Sequence, residues 1–260
     1  MHFSDRQVAG QTAMTSLQLL LINPNTSHGM TLAIGRAAQS ASRRATVRAV
    51  QPSFGPASIE GYYDEAFAYA GVAEQAMLAS KLSSPPDATI IACFGDPGLE
   101  AAREVLTGPV VGIAEAAFHT ASVLASRFSV VTTMKRTCGM AEHLLHKYGF
   151  ERSCRGVHGT DIPVLALENP SRETIEQLEV AALTALRSDN SSAIVLGCAG
   201  MAPLCERLSQ RLGVPVIDGV AAAVTLCEAW AAQSWSTSKT GDYAYPLAKA
   251  YTGWAEHLAP

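Results

Sequence analysis

The sequence lacks the features that indicate a membrane or a nucleic-acid partner. Its apolar runs fall well short of the roughly 20 residues that a membrane-spanning helix needs. Only 16% of its residues are charged, the formal net charge is −4, and like charges do not occur in blocks. Aromatic residues make up 7%, which is few for a protein that stacks on bases. We therefore expect no nucleic-acid partner and no membrane partner.

Motifs for metals and for nucleotides are also missing. The six cysteines include no C-x-x-C pair, so neither a zinc site nor a disulfide framework is indicated. No G-x-G-x-x-G motif and no P-loop occurs, so nothing indicates a bound nucleotide. Residues 1–16 are polar and lack the apolar stretch of a secretory signal. We expect a disordered extension over these residues, a cytoplasmic protein, and neither a metal nor an organic cofactor.

Apolar residues are abundant, and their pattern predicts the fold class. They make up 48% of the chain and fall in short runs that alternate with amphipathic segments. The predicted strands are residues 17–22, 46–50, 89–94, 110–112, 128–133, 193–197 and 214–217. The predicted helices include residues 64–81, 98–107, 115–127, 138–148, 172–187 and 203–212. Alternation of this kind is typical of an α/β fold with mainly parallel sheets.

The sequence also repeats itself around two cysteines. Residues 89–113 and residues 193–218 each read as an apolar strand ending in a cysteine, a glycine-containing turn, an amphipathic helix and a short second strand. The cysteines are Cys93 and Cys198. In α/β sheets ligands bind at the carboxyl ends of the strands, which is where both cysteines fall.

This repeat predicts two pseudo-symmetric α/β lobes with a cleft between them. The first lobe is expected over residues 17–112 and 219–260, and the second over residues 113–218. The cleft would bring the two thiols face to face, one from each lobe. A single cysteine at a strand end is usually only a small packing residue. Two cysteines at equivalent points of a repeat favour a chemical role.

Two opposed thiols suit the removal of a proton from one face of a carbon and its return to the other. Such a reaction needs one deprotonated and one protonated group, which exchange roles with the handedness of the substrate. A free thiol has a pKa of about 8.5, and a helix N-terminus lowers it. Because each cysteine precedes a glycine-containing turn into a helix, we expect both thiolates to form readily. A carbonyl of the substrate would delocalise the charge, so the reaction needs no cofactor.

Two further segments are candidates for contact with a ligand. The segment NPNTS, residues 23–27, follows the first predicted strand and resembles a turn with built-in helix caps. Its first residue, Asn23, stands at the strand tip and is the better candidate for a substrate contact. Ser58 and Ile59 follow a loop rich in proline and glycine that can lie over the cleft, although such a loop is also an ordinary connection.

Several of these motifs resemble those of the aspartate/glutamate racemase superfamily, in particular its hydantoin and allantoin racemase branch. The segments that carry the resemblance include INPNTS, ASIEGYYDEA, IACFGDPGLEAARE, FSVVTT and IVLGCAGMA, and it extends from about residue 17 to residue 246. The resemblance implies paired acid/base roles for Cys93 and Cys198, no cofactor, and assembly into a homo-oligomer. It also implies a substrate pocket, whose expected residues are Asn23, Ser58, Ile59, Thr132, Thr133, Ala199 and Gly200. Phe94, next to Cys93, is a further candidate for a substrate contact.

The resemblance leaves the substrate open between related molecules. Amino-acid racemases of the superfamily usually have C-N-T where this chain has Cys93-Phe94-Gly95, and the change removes polar groups that would hold a carboxylate. That favours a neutral planar hydantoin ring, either allantoin or a hydantoin derived from an amino acid. The alternatives are an aspartate- or glutamate-type racemase, a related isomerase or decarboxylase, and, in a different class, a non-catalytic protein that binds a small ligand.

Overall fold

The computed structural model describes residues 16–260, so the extension predicted over residues 1–16 lies almost wholly outside the described part. In the described part of the chain, eight strands form two sheets of four parallel strands each, and the order is β2-β1-β3-β4 in the first and β6-β5-β7-β8 in the second. The strands are β1 (Leu17–Ile22), β2 (Ala45–Val50), β3 (Ala88–Ile91), β4 (Val110–Gly112), β5 (Phe128–Thr132), β6 (Cys154–Gly159), β7 (Ile194–Leu196) and β8 (Val216–Asp218).

The two sheets have the same topology. In each, the first strand along the chain is an inner strand, the second pairs with it at one edge, and the third and fourth lie on its other side. This confirms the predicted α/β fold with two pseudo-symmetric lobes and parallel sheets. The inner strands β3 and β7 are buried along their whole length, as the apolar runs predict. The boundaries predicted between the lobes fall between β4 and the following helix, and between β8 and the following helix.

Over residues 16–260, eight α-helices connect and cover the strands. They are α1 (His28–Ala41), α2 (Tyr62–Ser80), α3 (Leu99–Val105), α4 (Ile113–Leu124), α5 (Cys138–Tyr148), α6 (Arg172–Asp189), α7 (Cys205–Leu212) and α8 (Gly219–Ala232). Serine side chains cap the starts of α1 and α6: the hydroxyl of Ser27 accepts the N–H of Met30 at 3.1 Å, and that of Ser171 accepts the N–H of Thr174 at 3.1 Å. No helix in the described part of the chain is long and apolar enough to cross a membrane.

A continuous hydrophobic core joins the two sheets. It contains Leu21 and Ile90 from the first sheet, Val130 and Val195 from the second, and Phe118 of α4, which is fully buried. The helices α4 and α8 pack against each other at the centre, and α8 also packs on β1 and β3 of the first sheet. The two halves are therefore held at a shared core, and the cleft that they form opens at the carboxyl ends of the inner strands.

Two elements were not predicted from the sequence. The strand β6 has the sequence CRGVHG, in which polar residues and glycines break the apolar pattern, and it pairs only with β5 at the sheet edge. The helix α8 is apolar on nearly every side because it is packed between other elements, so it shows little amphipathic periodicity. The structure of β6 therefore depends on its pairing with β5, and that of α8 depends on its burial between neighbouring elements.

Candidate active site

The two cysteines of the repeat lie on the walls of one cleft. Cys93 follows the end of β3 by two residues, and Cys198 follows the end of β7 by two residues. Both line a cavity of about 60 Å³ between the two halves of the molecule. Each cysteine is partly buried. The cleft therefore presents one thiol from each half, as the repeat predicts.

The backbone around the two thiols follows the same path. The N–H of Asp96 donates to the carbonyl of Cys93 at 2.9 Å, and the N–H of Met201 donates to the carbonyl of Cys198 at 3.0 Å. Each turn thus closes three residues after its cysteine. Within the turns, the backbone N–H of Gly95 donates to the thiol of Cys93, and that of Gly200 to the thiol of Cys198. These N–H groups favour the thiolate form.

Burial, however, dominates the ionisation of both thiols. It raises the pKa of Cys93 to about 12 and the pKa of Cys198 to about 11, and the hydrogen bonds from the glycine N–H groups offset only part of the rise. The expectation that both thiolates form readily near neutral pH is therefore wrong for the unliganded cleft. The helix α3 begins only at Leu99, well after Cys93, and Cys198 precedes only a short 3-10 segment, Ala199–Leu204.

Five other residues that the sequence singled out line the same cavity. They are Ile59, Phe94, Thr132, Thr133 and Ala199. The hydroxyl of Thr132 donates to the carbonyl of Gly197 at 2.8 Å, which braces the strand end before Cys198. Gly200 lines a neighbouring cavity, and a Cβ atom there would lie 3.7 Å from the sulfur of Cys198.

Asn23 and Ser58 do not line the cavity. The side chain of Asn23 is 1% exposed, and its Nδ2 donates to Asn25 Oδ1 and to Thr31 Oγ1, both at 2.9 Å. Asn23 therefore holds the turn together from inside, and Asn25, two residues later, faces the cavity. Ser58 is partly exposed in the loop whose next residue, Ile59, forms part of the cavity wall.

The sequence reasoning missed several residues of the cavity wall: Asn25, Met30, Thr137, Met140, Ala141 and Val164. With them the wall consists of apolar groups, hydroxyls, thiols and one amide, and it includes no charged side chain. Of these residues, Asn25 could have been found from the sequence, because it belongs to the NPNTS turn. A wall of this composition suits an uncharged ligand with a few polar atoms.

Carboxylates that do not line the cavity connect the two halves of the molecule by hydrogen bonds. The Oε1 atom of Glu60 accepts the backbone N–H of Val164 at 2.8 Å, and the hydroxyl of Ser27 donates to Glu168. A further carboxylate, that of Asp96, is 1% exposed and belongs to the Cys93 turn. Burial raises the pKa of Asp96 to about 7, although hydrogen bonds to its oxygens oppose the rise. The contacts hold the two walls of the cleft at a defined separation.

Other cysteines and possible metal ligands lie outside the cleft. The thiol of Cys205 donates to the carbonyl of Val216 at 3.2 Å, and Cys227 is buried in the core, as packing residues are. Cys138 and Cys154 likewise do not line the cavity. Over residues 16–260, no three side chains of His, Cys, Asp or Glu are grouped so that they could hold a metal ion.

Comparison with known proteins gives consistent matches over most of the chain. The family model described as Asp/Glu/Hydantoin racemase matches residues 19–227. A hydantoin racemase of Pseudomonas sp. (strain NS671) is 46% identical over 243 residues, which is 93% of this chain and 97% of that protein.

Solved structures match equally well. The allantoin racemase from Klebsiella pneumoniae superposes with a TM-score of 0.91 at 50% identity, over 94% of this chain and 100% of that chain. The allantoin racemase from Pseudomonas fluorescens superposes with a TM-score of 0.86 at 37% identity, over 91% of this chain and 100% of that chain.

Proposed function

The chain belongs to the Asp/Glu/hydantoin racemase family, a family of isomerases, and we propose that it racemises 5-substituted hydantoins at carbon 5. In this proposal Cys93 and Cys198 are the paired acid and base. The observation that carries it is the composition of the cleft: two thiols, one from each half, in a wall without charged side chains. A free amino acid would bring a carboxylate and an ammonium group, and burying either without a partner is costly.

The proposed reaction moves two protons and leaves no other bond changed. The thiolate takes the proton from carbon 5 and becomes a thiol, while the electron pair of the C–H bond delocalises into the adjacent ring carbonyl as an enolate. The opposite thiol then gives its proton to the other face of carbon 5 and becomes the thiolate. The second enantiomer reverses these roles, so each cysteine serves as base for one hand of the substrate.

Burial of the thiols supports this chemistry despite their raised pKa. A desolvated thiolate is a stronger base than one in water, and carbon 5 of a hydantoin is a weak acid. The N–H groups of Gly95 and Gly200 would stabilise each thiolate as it forms. Because the two thiols interact electrostatically, they titrate as a coupled pair in which one ionised member opposes ionisation of the other.

The substrate class includes allantoin, which is itself a 5-ureidohydantoin, and hydantoins derived from amino acids. Proteins named for each of the two substrates are similar to this chain along nearly its whole length. We propose allantoin as the first substrate to test, because the segments FSVVTTMKRTCGMAEHLLHKYGF and TSKTGD resemble those of allantoin racemases. The hydroxyls of Thr133 and Thr137 and the amide of Asn25 would provide partners for polar atoms of the ring or of a ureido group.

A panel of single enantiomers tests the proposal. Purified protein without added cofactor is incubated with one enantiomer of allantoin, of 5-benzylhydantoin and of 5-isopropylhydantoin, and with L-aspartate and L-glutamate. The circular dichroism signal is followed against a protein-free control. We expect the signal of at least one hydantoin to decay faster than the control while the amino acids keep theirs. Decay with only the amino acids contradicts the substrate class, and no decay with any compound contradicts the enzyme proposal.

A further inference from the structure

The pseudo-symmetry of the molecule breaks at the start of two equivalent helices. The helix α8 follows β8 and is capped by Asp218, whose carboxylate accepts the N–H of Val220 at 2.9 Å and that of Ala221 at 3.0 Å. The helix α4 follows β4 in the same way, but the residue at its cap position is Gly112, which has no side chain. A helix start buried without such a partner is unfavourable.

Asp96 supplies the missing cap from elsewhere in the chain. Its Oδ1 accepts the N–H of Ala114 at 3.0 Å, and its Oδ2 accepts the N–H of Glu115 at 2.9 Å. A Cβ atom on Gly112 would lie 2.1 Å from Cγ of Asp96, so only glycine leaves room for this carboxylate. The hydroxyl of Tyr148, at the end of α5, donates to Oδ2 at 2.9 Å.

This carboxylate belongs to the turn that carries Cys93. Asp96 has a φ angle of 45° and closes the turn by donating its N–H to the carbonyl of Cys93. Such a left-handed conformation is costly for a residue with a side chain, and the surrounding hydrogen bonds compensate for it. The equivalent residue of the other turn is Met201, which is fully buried and uncharged. The two thiols thus stand in turns of the same shape but of different charge.

The charged groups that face the two thiols also differ. Besides the thiol of Cys198, the carboxylates of Asp96 and of Glu65 on α2 raise the pKa of Cys93. The interaction between the two thiols is mutual, and among the residues that the structure describes the carboxylate that raises the pKa of Cys198 is that of Glu60. On the far side of Asp96, Glu115 is paired with Arg103 at 2.6 Å, which reduces its influence on the turn. A negative charge on Cys93 is therefore opposed by more like charge than one on Cys198.

We propose that Asp96 is a positioning residue for Cys93: it fastens the Cys93 turn to α4 and α5, and its buried negative charge keeps the proton on Cys93 when the pair ionises, so that the thiolate forms on Cys198. The assignment rests on the proposed function, in which these thiols are acid and base. It gives the pseudo-symmetric pair a defined starting state. The higher pKa of Cys93, about 12 against about 11 for Cys198, agrees with this order.

The pH dependence of thiol alkylation tests the proposal. Each protein is treated with iodoacetamide over a range of pH, and the alkylation of the Cys93 and Cys198 peptides is measured separately by mass spectrometry. In the wild-type protein we expect the rate at Cys198 to rise at lower pH than the rate at Cys93. In Asp96→Asn we expect the Cys93 rate at pH 8.5 to rise about tenfold, which corresponds to about one pKa unit, with little change at Cys198.

Asp218→Asn is the matched control, since it alters the equivalent cap of α8 without changing a charge that faces either catalytic thiol. We expect it to lower thermal stability while leaving the ratio of the two alkylation rates unchanged. If Asp96→Asn does not fold, Tyr148→Phe provides the second variant. It keeps the aromatic packing against Phe118 but removes a donor that stabilises the ionised carboxylate, so the Cys93 rate should rise in the same direction by a smaller factor.

Two results would overturn the assignment. One is alkylation of wild-type Cys93 that rises at lower pH than that of Cys198. The other is an unchanged ratio of the two rates in Asp96→Asn or Tyr148→Phe, which would leave Asp96 with only a capping role. Alkylation does not require turnover, so a wild-type protein that fails to racemise hydantoins would contradict the proposed function without deciding this test.

Discussion

Glu60 links the two halves of the molecule, because its Oε1 atom accepts the backbone N–H of Val164 at 2.8 Å. Glu60 follows Ile59 in a loop of the first half, and Val164 belongs to the second half; Ile59 and Val164 both line the cavity. The hydrogen bond therefore connects two parts of the cavity wall that come from opposite sides. It fixes the distance between these two parts of the wall.

Removal of this link should weaken substrate binding more than catalysis. We expect Glu60→Ala to raise KM about fivefold, because a lost hydrogen bond of about 1 kcal/mol lets the loop move away from the cavity. The conservative variant Glu60→Gln keeps an acceptor oxygen and should recover most of the affinity. Steady-state kinetics with one hydantoin enantiomer measures both. Equal KM values for Glu60→Ala and the wild-type protein would show that the link does not shape the site.

Activity should increase with pH through the neutral range. The reactive form carries one thiolate, and burial holds the pKa of Cys93 at about 12 and that of Cys198 at about 11. The fraction of thiolate therefore grows tenfold per pH unit, so log kcat/KM should rise with a slope of about one from about pH 6 to about pH 8. The measurement subtracts the spontaneous rate and stays below the pH at which the ring imide ionises. A plateau already at neutral pH would contradict a raised thiol pKa.

Asn23 should be important for stability. We expect Asn23→Ala to lower the free energy of unfolding by about 2 kcal/mol, because it leaves buried partners of the turn without their hydrogen bonds. It should also raise KM, since Asn25 loses the residue that orients it. Thr26→Ala, in the same turn, is the control, because it removes only a part-buried side-chain hydrogen bond to the carbonyl of Pro56. Denaturant unfolding gives the free energy of unfolding of each variant, and equal stability of Asn23→Ala and Thr26→Ala would refute this role.

The buried carboxylate of Asp96 should make stability depend on pH. Its pKa is about 7 in the folded protein, above the value of about 3.9 in an unfolded chain, so the folded state holds the proton more tightly. The contribution of the protonated carboxyl to the free energy of unfolding is fully present below about pH 4 and is lost as pH rises to about 7. Its magnitude is on the order of 4 kcal/mol. The difference in unfolding free energy between the wild-type protein and Asp96→Asn should therefore change across this window. A constant difference would contradict it.

The sequence was sufficient for the fold and for the positions of the two thiols. The repeat around Cys93 and Cys198 predicts the two sheets, and the structure confirms that they have the same strand order. The resemblance to the racemase superfamily is also confirmed by the family match over residues 19–227. These features depend on local patterns, apolar strands followed by a cysteine and a glycine-containing turn, which are visible without knowing what lies across the cleft.

The electrostatics and the finer shape of the site could not be predicted in this way. Whether Asn23 or Asn25 faces the cavity depends on how the turn closes around Thr31. The carboxylate of Asp96 is held by Ala114, 18 positions away, and by Tyr148, 52 positions away. No spacing in the sequence marks such partners. The raised pKa of both thiols likewise depends on how deeply the assembled lobes bury them.

Cys93 and Cys198 are proposed to transfer protons on opposite faces of carbon 5, and isotope exchange in the single Cys→Ser variants tests this mechanism most directly. Wild-type protein, Cys93→Ser, Cys198→Ser and the control Cys205→Ser are each incubated with both enantiomers of a hydantoin that the wild-type protein racemises, in deuterated buffer. Circular dichroism follows racemisation, and nuclear magnetic resonance follows deuterium at carbon 5. Spontaneous exchange is subtracted in every case.

We expect either active-site change to lower racemisation about a hundredfold to ten-thousandfold, while Cys205→Ser retains activity. Each active-site variant should keep some exchange with one enantiomer, and the favoured enantiomer should be opposite in the two variants, because each retains one thiol on one face. Racemisation at near wild-type rates in both Cys93→Ser and Cys198→Ser would contradict the two-thiol mechanism.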